Sequence, residues 1–143
     1  MREYVMLKVL DMVSREPMHG YRIMKELEKE MGIRLSPGVL YPILRSMVDM
    51  GLLSAYEASV GGKRVVVYEV TQDGREYLEK HRERLRMHDA RFERFRRSGL
   101  TELFKRIREI VRNIDKLDDE DVERVRRAVE LFLNEVKSVG GGM

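Results

Sequence analysis

The chain has 143 residues, enough for one ordinary domain or a small domain with an appendage, and it contains no cysteine. That excludes a disulfide framework, a thiolate metal site and a cysteine nucleophile, and no apolar run reaches the roughly 20 residues of a membrane span. The net charge of +3 leans mildly toward anionic partners, but it is unevenly spread: 10 basic against 9 acidic residues over 1–70, 14 against 9 over 71–117, and 4 against 7 over 118–143.

Met1-Arg2-Glu3-Tyr4 opens straight into a periodic helix and lacks the charged-then-apolar signature of a secretory leader, so a cytoplasmic protein is expected. Val5, Val9, Met12 and Val13 predict a helix over 4–13, which Pro17 must end. A second helix is predicted over 20–30, with Tyr21, Met24, Leu27 and Met31 as its apolar stripe and Gly32 as its C-terminal cap. Ser36 and Pro37 suit the cap and first position of a third helix. Leu40, Leu44 and Met47 line one side of it, and Gly38, Pro42, Arg45 and Asp49 the other. Pro42 removes a backbone donor, which predicts a distorted or late start, and Gly51 ends the helix.

Two strand-like runs follow, 52–59 and 64–70, with Gly61-Gly62-Lys63 as the turn between them. A helix-turn-helix followed by a β-hairpin is a winged helix. Thr71 then caps a helix predicted to run to about Arg97, with a seam of Leu78, His81, Leu85, His88, Phe92 and Phe95 at steps of three and four. Ser98-Gly99 marks a break. Leu103, Ile107, Ile110, Ile114 and Leu117 repeat the spacing. Asp118 caps a last helix bearing Val122, Val125, Val129, Phe132 and Val136. Such seams bury one stripe against another helix, in a bundle or a dimer. The expected fold is mostly α with a small β-hairpin wing: a winged helix-turn-helix over 1–73, C-terminal amphipathic dimerisation helices over 74–138, and a flexible tail over 139–143.

Four blocks carry a resemblance. They are Pro17-Met18-His19-Gly20-Tyr21, Ser36-Pro37-Gly38-Val39-Leu40-Tyr41-Pro42-Ile43-Leu44, Gly51-Leu52-Leu53, and Tyr68-Glu69-Val70-Thr71-Gln72-Asp73-Gly74-Arg75. In this order and spacing they resemble the PadR family of winged-helix transcriptional regulators. One departure is Val39, where the family usually has threonine. The resemblance implies a homodimer on double-stranded DNA, a third helix in the major groove, a wing on the backbone or minor groove, and repression of target genes. For some members it also implies a small-molecule effector held at a pocket in the dimer.

The candidate DNA-contacting residues follow from the winged-helix reading. On the third helix they are Ser36, Gly38, Val39, Tyr41, Pro42, Arg45 and Ser46. Glycine allows close backbone approach, Tyr41 offers a hydroxyl to phosphate, and Arg45 is the helix's single cation. Val39 could touch a thymine methyl. Lys63 and Arg64 stand at the wing tip, and Arg22 and Lys25 on the second helix could reach phosphates. Tyr21 reads as core and His19 as a helix-start residue. The candidate dimer contacts are Leu78, His81, Leu85, His88, Phe92, Phe95, Leu103, Ile107, Val125, Val129 and Phe132. His81 and His88 sit seven residues apart, too far for one metal, so they read as interface histidines. The arginines between Arg82 and Arg97 read as a solvated, salt-bridged face. No phosphate loop, nucleophile elbow or paired-carboxylate motif is present, so neither catalysis nor a cofactor is expected. The competing expectation is a winged-helix module that binds a protein rather than DNA.

Overall fold

The computed structural model describes residues 1–141; the flexible tail expected over 139–143 therefore falls partly outside the described residues, at 142 and 143. The elements run α1 (Arg2–Arg15), β1 (Met18–His19), α2 (Gly20–Met31), α3 (Pro37–Asp49), β2 (Leu53–Val60), β3 (Lys63–Val70), α4 (Gln72–Lys80), α5 (Arg82–Arg97), α6 (Leu100–Arg112), a single 3-10 turn at Ile114–Lys116, and α7 (Asp119–Val136). The described chain divides by its internal contacts into a unit spanning Met1–Thr101 and a second from Glu102 onward.

In the first unit α1 is the scaffold. Its sequence predicts one stripe, yet Tyr4, Val5, Met6, Leu7, Val9, Leu10, Met12 and Val13 are all buried. The burial is wide because α2, α3, α4, α5 and β3 all pack on this helix. Ile23, Met24, Leu27 and Met31 from α2 join the core, together with Leu40, Ile43, Leu44 and Met47 from α3. Each fully buried aliphatic side chain contributes about 1.5–3 kcal/mol. Tyr21 departs from its expected place: it is 56 % exposed, and Ile23 fills the core position instead. The other three residues of the expected stripe, Met24, Leu27 and Met31, are buried, and Gly20 and Ile23 complete it in place of Tyr21.

Pro42 does not delay α3, which runs unbroken from Pro37. Only the donor to the Gly38 carbonyl is lost, and both residues lie on the exposed side, where water can take its place. Ser36 holds the N-cap position without a side-chain cap bond.

The sheet has the order β1-β3-β2, antiparallel throughout. The short strand β1 was not evident from the sequence. It pairs Met18 with Tyr68 and His19 with Val67, and so ties the start of the helix-turn-helix to the wing. The hairpin pairs Leu53 with Val70 and closes at Val60 opposite Lys63. Its two-residue turn has both glycines at positive φ, 57° and 80°, which matches the twist of the flanking strands and is costly for residues with a Cβ. Lys63 is therefore the first strand residue rather than part of the turn.

A compact knot joins wing to α4. The Thr71 hydroxyl donates to the Gly51 carbonyl at 2.6 Å and accepts from the Gly74 amide at 2.9 Å. The Thr71 amide donates to the Leu52 carbonyl at 3.1 Å. Gly74 approaches the same carbonyl so closely that a Cβ would lie 2.1 Å from its oxygen.

The helix expected to run from Thr71 to Arg97 is interrupted at His81. There the backbone turns to φ −110°, ψ 13°, and the His81 amide is shared between the Tyr77 and Leu78 carbonyls. The ring stacks on Tyr77 at 4.1 Å and its Nδ1 lies 2.8 Å from the Tyr77 carbonyl oxygen. Leu78 and Leu85, on either side of the interruption, both reach the core, where they are 2 % and 4 % exposed. These two residues were expected at a dimer contact. Their side chains are instead consumed by their own chain and offer no surface to another.

In the second unit, α7 starts as expected. Asp118 accepts from the Asp121 amide at 2.8 Å, and three further acids fill the first turn. Among the described residues of α6 and α7 none is buried.

Candidate DNA interface

The surface built by α3, the start of α2 and the hairpin gathers most of the residues predicted for DNA contact. The core stripe of α3 (Leu40, Ile43, Leu44, Met47) fixes the helix's rotation and so turns Gly38, Val39, Tyr41, Pro42 and Arg45 outward. Val39 is 50 % exposed and Tyr41 42 %. Ser36 is exposed and Ser46 half-buried, its hydroxyl 4.0 Å from the Met50 sulfur. Arg45 has no carboxylate partner among the described residues.

Tyr41 is less free than its exposure suggests. A Cβ on Gly20 would lie 2.6 Å from its Cε1 and 2.7 Å from its hydroxyl oxygen, so the ring rests directly on the first residue of α2. Together with His19, Tyr21, Val65, Val66 and Tyr68 it lines a shallow hollow between α2, α3 and β3. Burial pushes the Tyr68 hydroxyl above its ordinary range; the neighbouring Tyr41 adds to this and Arg45 opposes it. The outward surface of α3 and the adjoining hollow is thus aromatic and aliphatic, with one guanidinium.

The remaining cations fall into two sets. Arg22 is paired with Glu16 at 2.5 Å, and Arg64 with Glu57 across the hairpin. Lys25 stands 5.5 Å from the Tyr21 ring centre, and Lys63 has no carboxylate partner among the described residues. Lys25, Arg45 and Lys63 are therefore the charges this face presents unpaired. The acids at 16 and 57 were the features that sequence reasoning missed. A cross-strand ion pair could have been found from the hairpin register, since Arg64 sits two rungs from Glu57.

Behind this face, α5 is tied to α1 and α2 by a polar cluster. The Tyr4 hydroxyl donates to Asp89 at 2.6 Å, and the Lys8 ammonium bridges Glu30 at 2.9 Å and Asp89 at 3.3 Å. Burial, reinforced by Asp89, raises the Tyr4 hydroxyl's pKa strongly. Burial pulls the Lys8 ammonium down, but Glu30 and Asp89 more than offset it. His88 stacks on Tyr4 at 5.5 Å, and Phe92 lies 5.7 Å away. Arg82, Arg84, Arg86 and Arg96 pair with Glu79, Glu3, Glu83 and Glu93, as expected of a salt-bridged face.

Of the other predicted dimer contacts, His81, His88, Phe92 and Phe95 are half-buried, as are Leu103 and Val125 in their helices. Ile107, Val129 and Phe132 are 45 %, 48 % and 42 % exposed. No described helix is long and apolar enough to cross a membrane.

A helix-turn-helix with an outward-facing third helix, followed by a two-stranded wing stitched to it by β1, defines a winged-helix protein. The family model of the Transcriptional regulator PadR-like family matches residues 9–80, and the chain belongs to that family. It is 33 % identical over 87 residues to the Transcriptional regulator YqjI of Escherichia coli, covering 59 % of this chain and 41 % of the relative. It thus spans about two fifths of that protein. It is 36 % identical over 89 residues to the Transcriptional regulator Rv3488 of Mycobacterium tuberculosis, covering 59 % of this chain and 82 % of the relative. Among solved structures, the fold matches a putative transcriptional regulator from Thermoplasma acidophilum, TA0346, with TM-score 0.56, 24 % identity, and 68 % and 92 % of the two chains covered. A PadR family regulator from Eggerthella lenta matches with TM-score 0.50, 30 % identity, and 60 % and 71 % coverage.

Proposed function

We propose that this protein is a sequence-specific DNA-binding transcriptional regulator, a cytoplasmic repressor that acts as a homodimer on a near-palindromic operator. The observation that carries the reading is the exposed face of α3, whose side chains reach outward beside unpaired Lys25, Arg45 and Lys63. Residues 1–73 would contact DNA. The helices from 74 to 138 would join two copies through residues still open to a partner, chiefly Ile107, Val129 and Phe132. Two copies of α3 would then enter successive major grooves about 34–36 Å apart. Repression would follow from blocked access of polymerase, and the protein would need neither cofactor nor catalysis. A small-molecule effector fits the family resemblance, and the aromatic hollow formed by Met1, Tyr4, His88, Arg91, Phe92 and Phe95 is where it would be sought.

A second reading has one specific observation in its favour. Tyr21, Val39, Tyr41 and Val66 are exposed apolar side chains on one face, as a protein-binding winged helix would display. Fluorescence anisotropy separates the two. The labelled duplex would be DNA from upstream of this protein's own gene, with a scrambled duplex beside it at the same salt. Preference for the first by about a thousandfold is expected of a specific regulator. Equal, weak binding to both, and to duplexes selected from random sequence, would overturn the DNA reading.

A further inference from the structure

We infer that Val39 reads a thymine 5-methyl group in each half of the DNA site. The inference rests on the DNA-binding reading above and deepens it. It starts from what the first two turns of α3 lack. Gly38 has no side chain, Val39 is half exposed, and Pro42, one turn later, has neither a side-chain polar atom nor an N–H. The one polar side chain exposed on these turns, Tyr41, has its ring and hydroxyl held against Gly20. The first unpaired polar side chain inside the helix is Arg45, at its ninth position. The end of the helix that would meet base edges is therefore aliphatic.

The major groove offers one apolar group on a base edge, the thymine methyl. Guanine, adenine and cytosine present donors or acceptors there with no methyl beside them, whereas thymine sets its methyl next to O4; on the other bases Val39 would strip polar atoms of water without replacing the lost hydrogen bonds. The isopropyl group is also stiff about χ1, so it needs little ordering on contact. A valine at this position therefore selects thymine twice over, by the methyl it covers and by the polar edges it leaves unpaired.

The test begins with the full chain and a random-sequence duplex pool, from which bound sites are selected. Each thymine of the selected site is then replaced by deoxyuridine, which removes the methyl and leaves pairing intact. One thymine in each half-site is expected to respond, with binding about fourfold weaker for one replacement and about fifteenfold for the symmetric pair. In Val39→Ser that preference should vanish, while Val39→Thr, which keeps one methyl, should retain most of it. Circular dichroism would establish that both variants keep the fold. Tight, selective binding that is indifferent to every thymine methyl would overturn the assignment and leave the DNA reading standing. So would a Val39→Ser protein with the full methyl preference. If the pool yields no enriched sequence, the DNA reading fails and the thymine assignment falls with it.

Discussion

Single residues decide several features here through what they exclude. Gly74 is the clearest: no side chain fits between α4 and the Leu52 carbonyl, because the opposing atom is backbone and cannot rotate away. Gly74→Ala should destabilise the fold by at least about 2 kcal/mol in urea unfolding. A loss below about half of that would mean that the knot around Thr71 adjusts easily. Tyr4 gives a second prediction, with a direction in pH. Its hydroxyl is held protonated in the folded state, and Lys8 beside it is held charged. Both folded pKa values lie above the unfolded ones, so this stabilisation is complete below about pH 10 and drains away as pH climbs beyond it. Tyr4→Phe should cost about 1–2 kcal/mol near neutrality and show a shallower alkaline loss of stability than the native chain. Parallel curves from pH 7 to 11 would rule this out.

At the scale of elements, the helices and hairpin were legible in the sequence because their signals are local. Pro17, Gly32, Ser36-Pro37, Gly51, Gly61-Gly62, Thr71 and Asp118 each punctuate the chain where an element ends or begins. What escaped depends on neighbours distant in sequence. Strand β1 is two residues long and exists only because β3 offers it an edge. The break at His81 leaves Leu78 and Leu85 on the same stripe, so the unbroken seam of threes and fours gives no sign of it; α4 and α5 each pack on α1 from their own side of it. Tyr21 lies at the edge of the stripe that Met24, Leu27 and Met31 define, and spacing alone does not decide whether Tyr21 or Ile23 completes it. For the candidate interface, sequence located the face but not which of its cations are already paired. Glu57 illustrates the point, and also provides a test. Glu57→Gln would release Arg64 at the wing; DNA affinity should rise, and the salt dependence should steepen by up to nearly one log unit per protomer. An unchanged slope would indicate that the wing does not reach phosphate.

For the whole molecule, the unpaired cations bound the electrostatic contribution. Lys25, Arg45 and Lys63 in each of two protomers would give six phosphate contacts, and affinity should fall with about the fifth power of salt concentration. A slope near zero would return the apolar face to a protein partner. Assembly can be probed independently of DNA. Ile107→Glu with Phe132→Glu places charge on surfaces already exposed in the single chain, so the winged helix should keep its melting behaviour. Light scattering should report a monomer, and operator binding should weaken by at least about a hundredfold, since the second half-site no longer adds its contacts. A dimer that persists would assign the interface to other residues.

The contact between Gly20 and Tyr41 has a consequence for how such a surface can change over time. The aromatic ring occupies the volume that any larger residue at position 20 would claim. An alanine there must evict the ring, and with it the hydroxyl's position on the face. Replacing Tyr41 first removes the atoms that stand nearest to that volume. The order of the two changes therefore matters: a chain that has lost the tyrosine and filled the gap can regain it only with the ring displaced from the place it holds here.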